Sequence, residues 1–144
     1  MSSPAVELAQ YVADELGYVF GGNSDWSFHA TREPAEPANV VTFYDTDGRD
    51  PLVIDGAEIL QPAIQVRARS FDYLEAYEVQ KAVYDVLQQP GLAELDTDLA
   101  REIGTGRYIG INLAGDIIAI GRDDNDRQLV VANYTLIRQP LEGS

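Results

Sequence analysis

Cysteine is absent from the 144 residues, and histidine occurs once, at His29. The first absence removes disulfides and thiolate metal sites, and the second removes any histidine-rich metal centre. Positive charge is scarce too. Ten basic against 24 acidic side chains leave a formal net charge of -14, which argues against sequence-specific nucleic-acid recognition and against attraction to anionic lipid. No run approaches the ~20 apolar residues of a membrane span, and MSSPAVELAQ has neither the basic start nor the apolar stretch of a signal peptide. The expectation is a protein soluble where it is made, with no membrane partner, no metal and no cofactor. An acidic surface is still compatible with a passage through which DNA slides, because like charge keeps the strand from sticking.

A hydrophobic content of 45% over this length supports one continuous core and is too short to divide into two. One domain over residues 1–138 is expected, with 139–144 as a loose tail. Ser3, Pro4 and Gly17 mark the ends of a first helix, with Ala5, Leu8, Ala9, Val12 and Leu16 on one stripe and Glu7, Gln10, Asp14 and Glu15 off it. From Gly21 to Asn39 the chain reads as loop, apart from a short strand near Trp26 to Ala30. Asn39 to Tyr44 reads as a strand, and Ile64, Val66 and Ala68 alternate with Gln65, Arg67 and Arg69 in a second. A second helix follows. Asp72 and Glu75 have capping-box spacing, Ala76, Val79, Val83, Val86 and Leu87 form its apolar stripe, and Pro90-Gly91 ends it. After a loop over Leu92 to Gly106 come strands at Arg107–Leu113, Ile117–Arg122 and Gln128–Arg138, the last two forming a hairpin.

The stretch VVTFYDTDGRDP, Val40 to Pro51, invites an enzymatic reading. A hydrophobic strand ending in Asp-x-Asp-Gly resembles the first motif of the haloacid dehalogenase phosphatases, with Asp45 as nucleophile and Asp47 as proton shuttle. Ser70, Lys81 and the pair Asp123 and Asp124 imitate the remaining parts, the last two as magnesium ligands. The connections oppose it. That chemistry needs a parallel sheet with a crossover helix, and RDPLVIDGAEILQ, broken by Pro51 and Gly56, supplies none. A calcium loop of the EF-hand kind fails on spacing, because Gly48 is the fourth residue from Asp45 rather than the sixth. The bland alternative makes Asp45 to Gly48 and Asp123 to Asp126 turns that close strands.

Taken together, EPANVVTFYDTDGRDP, IQVRARSFDYLEAYEVQKAVYDVL, GRDDNDR and VVANYTLIR resemble the tail terminator or minor capsid proteins of tailed bacteriophages. Glu36 to Gly48, Gln65 and Arg67, Glu75 and Ala76, Gly121 to Asp123 with Arg127, and Asn133-Tyr134 match that family's landmarks in order, whereas Trp26 to Pro34 and Leu92 to Gly106 match nothing. The resemblance implies an α+β fold: a mixed, mainly antiparallel sheet with two helices packed on one face. It also implies a non-enzymatic virion protein forming a ring, a hexamer in that family's manner, that caps the tail tube, stops its polymerisation and joins it to the head connector. Its partners would be copies of itself, the tail tube protein, and a connector or stopper protein, with DNA passing through the lumen unbound. A head-closure or stopper ring of the neck is the nearest alternative, and the phosphatase is a distant one.

A homomeric ring needs heterologous contacts, which arginine-to-carboxylate forks suit. The candidates for subunit or partner contact are Gln65, Arg67 and Arg69 on the strand face away from the helices, Glu75 and Glu78 on the second helix, and Asp123, Asp124, Asp126 and Arg127 in the last hairpin. Against this, Arg67 is equally suited to pairing across its own sheet. Tyr73, Tyr77 and Tyr84 have the spacing of partly buried core, and Trp26 suits pinning its own loop better than reaching a neighbour.

Overall fold

In a computed structural model the chain is described over residues 3–21, 26–35, 38–54, 56–88 and 101–140. The first helix, α1 (Pro4–Leu16), starts where the sequence places it, because each early backbone N–H finds an acceptor. Pro4 has none to satisfy. The Val6 N–H donates to Ser3 Oγ at 3.3 Å, and the Glu7 N–H donates to the Ser3 carbonyl at 3.0 Å. The Ala5 N–H donates at 3.0 Å to Asp45 Oδ1, forty residues away. Gly17 ends the helix in the left-handed conformation, φ 77°.

Strands β1 (Val19–Phe20), β2 (Ser27–Ala30), β3 (Val40–Ile54) and β4 (Ala57–Ser70) follow, then α2 (Tyr73–Gln88) and strands β5 (Arg101–Ile103), β6 (Gly106–Leu113), β7 (Ile118–Arg122) and β8 (Gln128–Pro140). Among the described residues they form one sheet in the order β1-β2-β3-β4-β8-β6-β5, with β7 beside β8. Only β1–β2 and β2–β3 pair in parallel; the other pairs are antiparallel. The α+β class, with a mixed and mainly antiparallel sheet, is therefore what the chain adopts.

Both helices lie against one face. Ala5, Leu8, Ala9 and Val12 of α1 and Ala76, Val79, Val83 and Leu87 of α2 pack on Phe28, Val41, Phe43, Ile64, Val66, Val130, Ala132 and Tyr134. The amide of Gln80, itself fully buried, bridges helix to sheet by donating to the carbonyls of Val66 at 2.6 Å and Val130 at 2.9 Å. At its start, α2 is capped by Asp72, whose Oδ1 accepts from the Leu74 N–H at 2.9 Å.

Four expectations need correction. Asp45 to Gly48 is not a strand-closing turn. The strand continues through it to Ile54, with register shifts between Thr46 and Arg49 and again between Arg49 and Leu52, so the extra residues are absorbed as bulges. Gly48 suits that course, because a Cβ there would collide with the Gln61 carbonyl oxygen. Within the supposed loop Leu92–Gly106, Arg101–Ile103 is a strand paired to β6; the Pro90-Gly91 stop lies outside the described residues. Gln139 and Pro140, expected in the tail, belong to β8 and pair with Arg107 and Gly106; residues 141–144 lie outside the described residues. Finally, Glu7, expected off the apolar stripe and so in water, is only 3% exposed.

Candidate functional site

The helix-free face of the sheet carries three of the predicted contact residues. Strand alternation puts Gln65, Arg67 and Arg69 there, as expected, but their circumstances differ. Gln65 stands opposite Asn133 in β8 and donates to its Oδ1 at 3.2 Å. Arg67 lies over the Tyr44 ring, 5.7 Å from its centroid, between Thr42 and Val131 on the adjacent strands. Its partner is thus an aromatic face rather than a carboxylate across the strand.

Arg69 is 2% exposed and ties down the connection between β2 and β3. Its Nη1 pairs with Glu33 Oε1 at 3.2 Å, its Nε donates to the Ala38 carbonyl at 3.3 Å, and its Nη2 donates to the Ala35 carbonyl at 3.4 Å. Arg127 converges on the same point, with Nη1 donating to the Ala35 carbonyl at 2.7 Å. Arg127 is itself held by Asp123, through Nε to Oδ2 at 2.9 Å and the backbone N–H to Oδ1 at 3.0 Å. Asp123 also accepts from the Asn125 N–H at 2.9 Å, so it shapes the turn before β8. Although desolvation opposes it, these N–H donors and the Arg127 charge hold the Asp123 carboxyl below its ordinary pKa. Burial depresses Arg69 in turn, with Glu33 and Asp123 opposing that shift and Arg127 adding to it. Two guanidiniums so placed need internal partners, because an unpaired buried charge costs several kcal/mol, roughly 3–5 when one partner is lost. Arg69, Asp123 and Arg127 are accordingly occupied within the subunit.

Glu75, Glu78, Asp124 and Asp126 are exposed. Asp126 pairs with Arg122 at 2.9 Å, a bridge open to solvent on both sides. Around α2, Tyr73 and Tyr77 protrude at 42% and 38% exposure, while Tyr84 packs against the core. Trp26 packs against the core as well, next to fully buried Phe28. His29 is half-buried, and burial, with the Arg69 charge, lowers its pKa.

A second polar cluster on the helix face escaped the sequence reading. Arg138 Nη2 donates to Glu7 Oε1 at 3.2 Å and Oε2 at 3.3 Å, the Tyr108 hydroxyl donates to Oε1 at 2.7 Å, and the Thr105 N–H and hydroxyl both reach Oε2 at 2.6 Å. Gly104, at φ 59°, and Gly106 flank Thr105, and a Cβ at either would collide with Glu7 or with Arg138. Burial alone would raise the Glu7 pKa, but the Thr105 and Tyr108 hydrogen bonds and the Arg138 charge outweigh it and hold the carboxyl low. Burial and Glu7 together push the Tyr108 phenol well up. The available signal was period two in β8, since Tyr134, Leu136 and Arg138 share one face.

The phosphatase parts do not converge. Asp45 caps α1, Ser70 stands at the far end of β4, Lys81 pairs with Asp85, and Asp123 serves Arg127. A family model of the bacteriophage tail terminator protein matches residues 11–140. The chain belongs to that family. No curated protein matches it. A chain from the virion of a native gene transfer agent particle shares its fold at a TM-score of 0.60, with 12% identity and 95% of each chain covered. As a tail terminator family member the protein is a structural, non-enzymatic component of the virion tail, and its polar clusters are parts of the scaffold. They fix the β2–β3 connection, the turn before β8, and α1 on the sheet.

Proposed function

We propose that this tail terminator protein closes the head-proximal end of the tail tube as a homomeric ring, a hexamer by the family pattern, halting tube polymerisation and offering a surface to the head connector or stopper. The family match over residues 11–140 carries the reading. The exposed candidates supply contacts: Glu75 and Glu78 on α2 and Asp124 and Asp126 in the β7–β8 turn. The half-buried Gln65 and Arg67 add a polar surface on the helix-free face. Arg69, Asp123 and Arg127 act behind them, by fixing the loops on which neighbours would bear. With a net charge of -14, the ring repels DNA phosphates, so DNA crosses the lumen without specific binding.

Polymerising tail tube protein with and without this chain tests the reading. Electron microscopy should show tubes capped at one end and no longer growing when the chain is present, and native mass measurement should show a closed ring. Tubes that lengthen equally in both reactions would refute termination.

A further inference from the structure

Exposed apolar surface is unevenly spread over the subunit. Ten large apolar side chains are exposed among the described residues, and four of them, Phe71, Tyr73, Leu74 and Tyr77, stand together where the chain enters α2. Phe71 and Leu74 are 64% and 62% exposed, and the rings of Tyr73 and Tyr77 lie 6.1 Å apart, centroid to centroid. The core-facing side of the helix is formed instead by Ala76, Val79, Gln80 and Val83. A concentrated apolar patch on a folded domain marks a docking surface, and tyrosine is among the side chains that anchor one.

Next to the patch is a cleft of about 250 Å³ between the start of α2 and the end of α1, with Leu16, Tyr18, Trp26 and Val79 in its lining together with Glu75 and Glu78. That volume lies below the ~300–1,000 Å³ of small-molecule pockets, so a side chain of a partner suits it better than a free ligand. Glu75 and Glu78 are exposed and form no ion pair among the described residues. Lys81, one turn further on, is engaged by Asp85. The surface is therefore apolar with an unneutralised acidic rim, and its occupant has apolar side chains with a cation beside them.

A second copy of this chain does not offer that combination. Its other exposed large apolar side chains are Val19, Leu52, Val53, Ile109, Ile118 and Ile120. Val19 lies in a stretch with no lysine or arginine before Arg32. Near Leu52 and Val53, Arg49 stands between Asp47 and Asp50. Near Ile109, Arg107 faces Glu102 across the β5–β6 pair. Near Ile118 and Ile120, Arg122 pairs with Asp126. Each cation close to an exposed apolar side chain thus has a carboxylate beside it already, and two chains of net charge -14 add repulsion. We infer that the start of α2 receives a different protein of the virion, one that presents an apolar side chain to the cleft with lysine or arginine next to it, and that the joint between copies lies elsewhere on the subunit. This rests on the ring reading above and gives the ring's contact with another virion protein its place and chemistry.

The test takes the full-length chain and two probes, the tail tube protein and the connector or stopper protein of the same virion, each immobilised in turn, with native mass as the measure of self-association. One probe is expected to bind the natural chain, more weakly as salt rises. Leu74→Ser should weaken that binding about tenfold or more. Glu75→Gln with Glu78→Gln should weaken it less and remove most of its salt dependence. Both variants should keep the natural chain's native-mass profile and urea midpoint. Variants that bind both probes as the natural chain does, or a natural chain that binds neither, would overturn this assignment of the surface. Loss of self-association with probe binding intact would make the patch the joint between copies and overturn it equally. Tubes that keep growing beside a chain whose probe binding follows these expectations would refute termination and leave the docking surface standing.

Discussion

The inner and outer halves of β3 and β4 are built from one pair of strands and meet opposite fates. In the inner half, Val41, Phe43, Ile64, Val66 and Ala68 are fully buried beneath the helices. In the outer half the alternation is lost, and the consecutive Leu52 and Val53 face water. The two strands pair without a break in the inner half and with two register shifts toward the outer one. The neighbours differ as well: β2, β8 and both helices flank the inner half, and only the partner strand flanks the outer. Apolar burial stabilises by roughly 25 cal/mol per Å², so the inner half carries the fold and the outer contributes little to it.

Substitutions should separate the halves sharply. Phe43→Ala is expected to lower the free energy of unfolding by about 3–5 kcal/mol, and Glu7→Ala by a similar amount because it strands Arg138 in the core; urea titration measures both. An unchanged midpoint for Phe43→Ala would remove the distinction drawn here.

The Glu7 cluster also makes a pH test. Because its folded pKa is held below the ordinary 4.5, the stability it contributes is fully present above that value and is lost as pH falls through the lower, folded one. Stability of the natural chain should fall below about pH 4.5, and Glu7→Gln should flatten that acid limb in thermal scans. A limb of unchanged slope would place the acid sensitivity elsewhere.

Gln80→Leu, which removes the two bonds from α2 to the sheet, should cost about 1–3 kcal/mol. Asp45→Ala, at the boundary between the halves, should cost about 1 kcal/mol as a lost helix cap, with hydrogen exchange quickening first at the Ala5 amide. Smallest of all, Leu52→Ser in the outer half should leave unfolding within about 0.5 kcal/mol of the natural chain. An effect there as large as that at Phe43 would mean that the outer half is packed in the free subunit.

Much of this was legible in advance. The caps at Ser3 and Gly17, the apolar stripes of both helices, and the alternation in β4 and β8 are local patterns enforced by periods of 3.6 and 2, and the structure follows them. The family landmarks from Glu36 to Tyr134 were legible as ordered short motifs. Asp45 was misread because a short aspartate-glycine segment has no local feature separating a turn from a bulge. Its role at α1 depends on a contact across forty residues. Arg69 was legible as a residue of the helix-free face but not as buried, because the connection that covers it comes from a distant part of the chain.

By itself, then, the sequence determined both helices, most of the strands, the faces they bury, and the tail terminator family, since each is written in local composition and ordered motifs. Tertiary structure decided which charges are spent inside and which remain outside. Glu7 pairs with Arg138 only because the end of β8 comes within reach of α1, and Arg127 meets Arg69 at Ala35 only because the β2–β3 connection brings that carbonyl to both. A charge is tolerated in the interior where partners from remote segments converge on it, and that convergence exists only once the chain has folded.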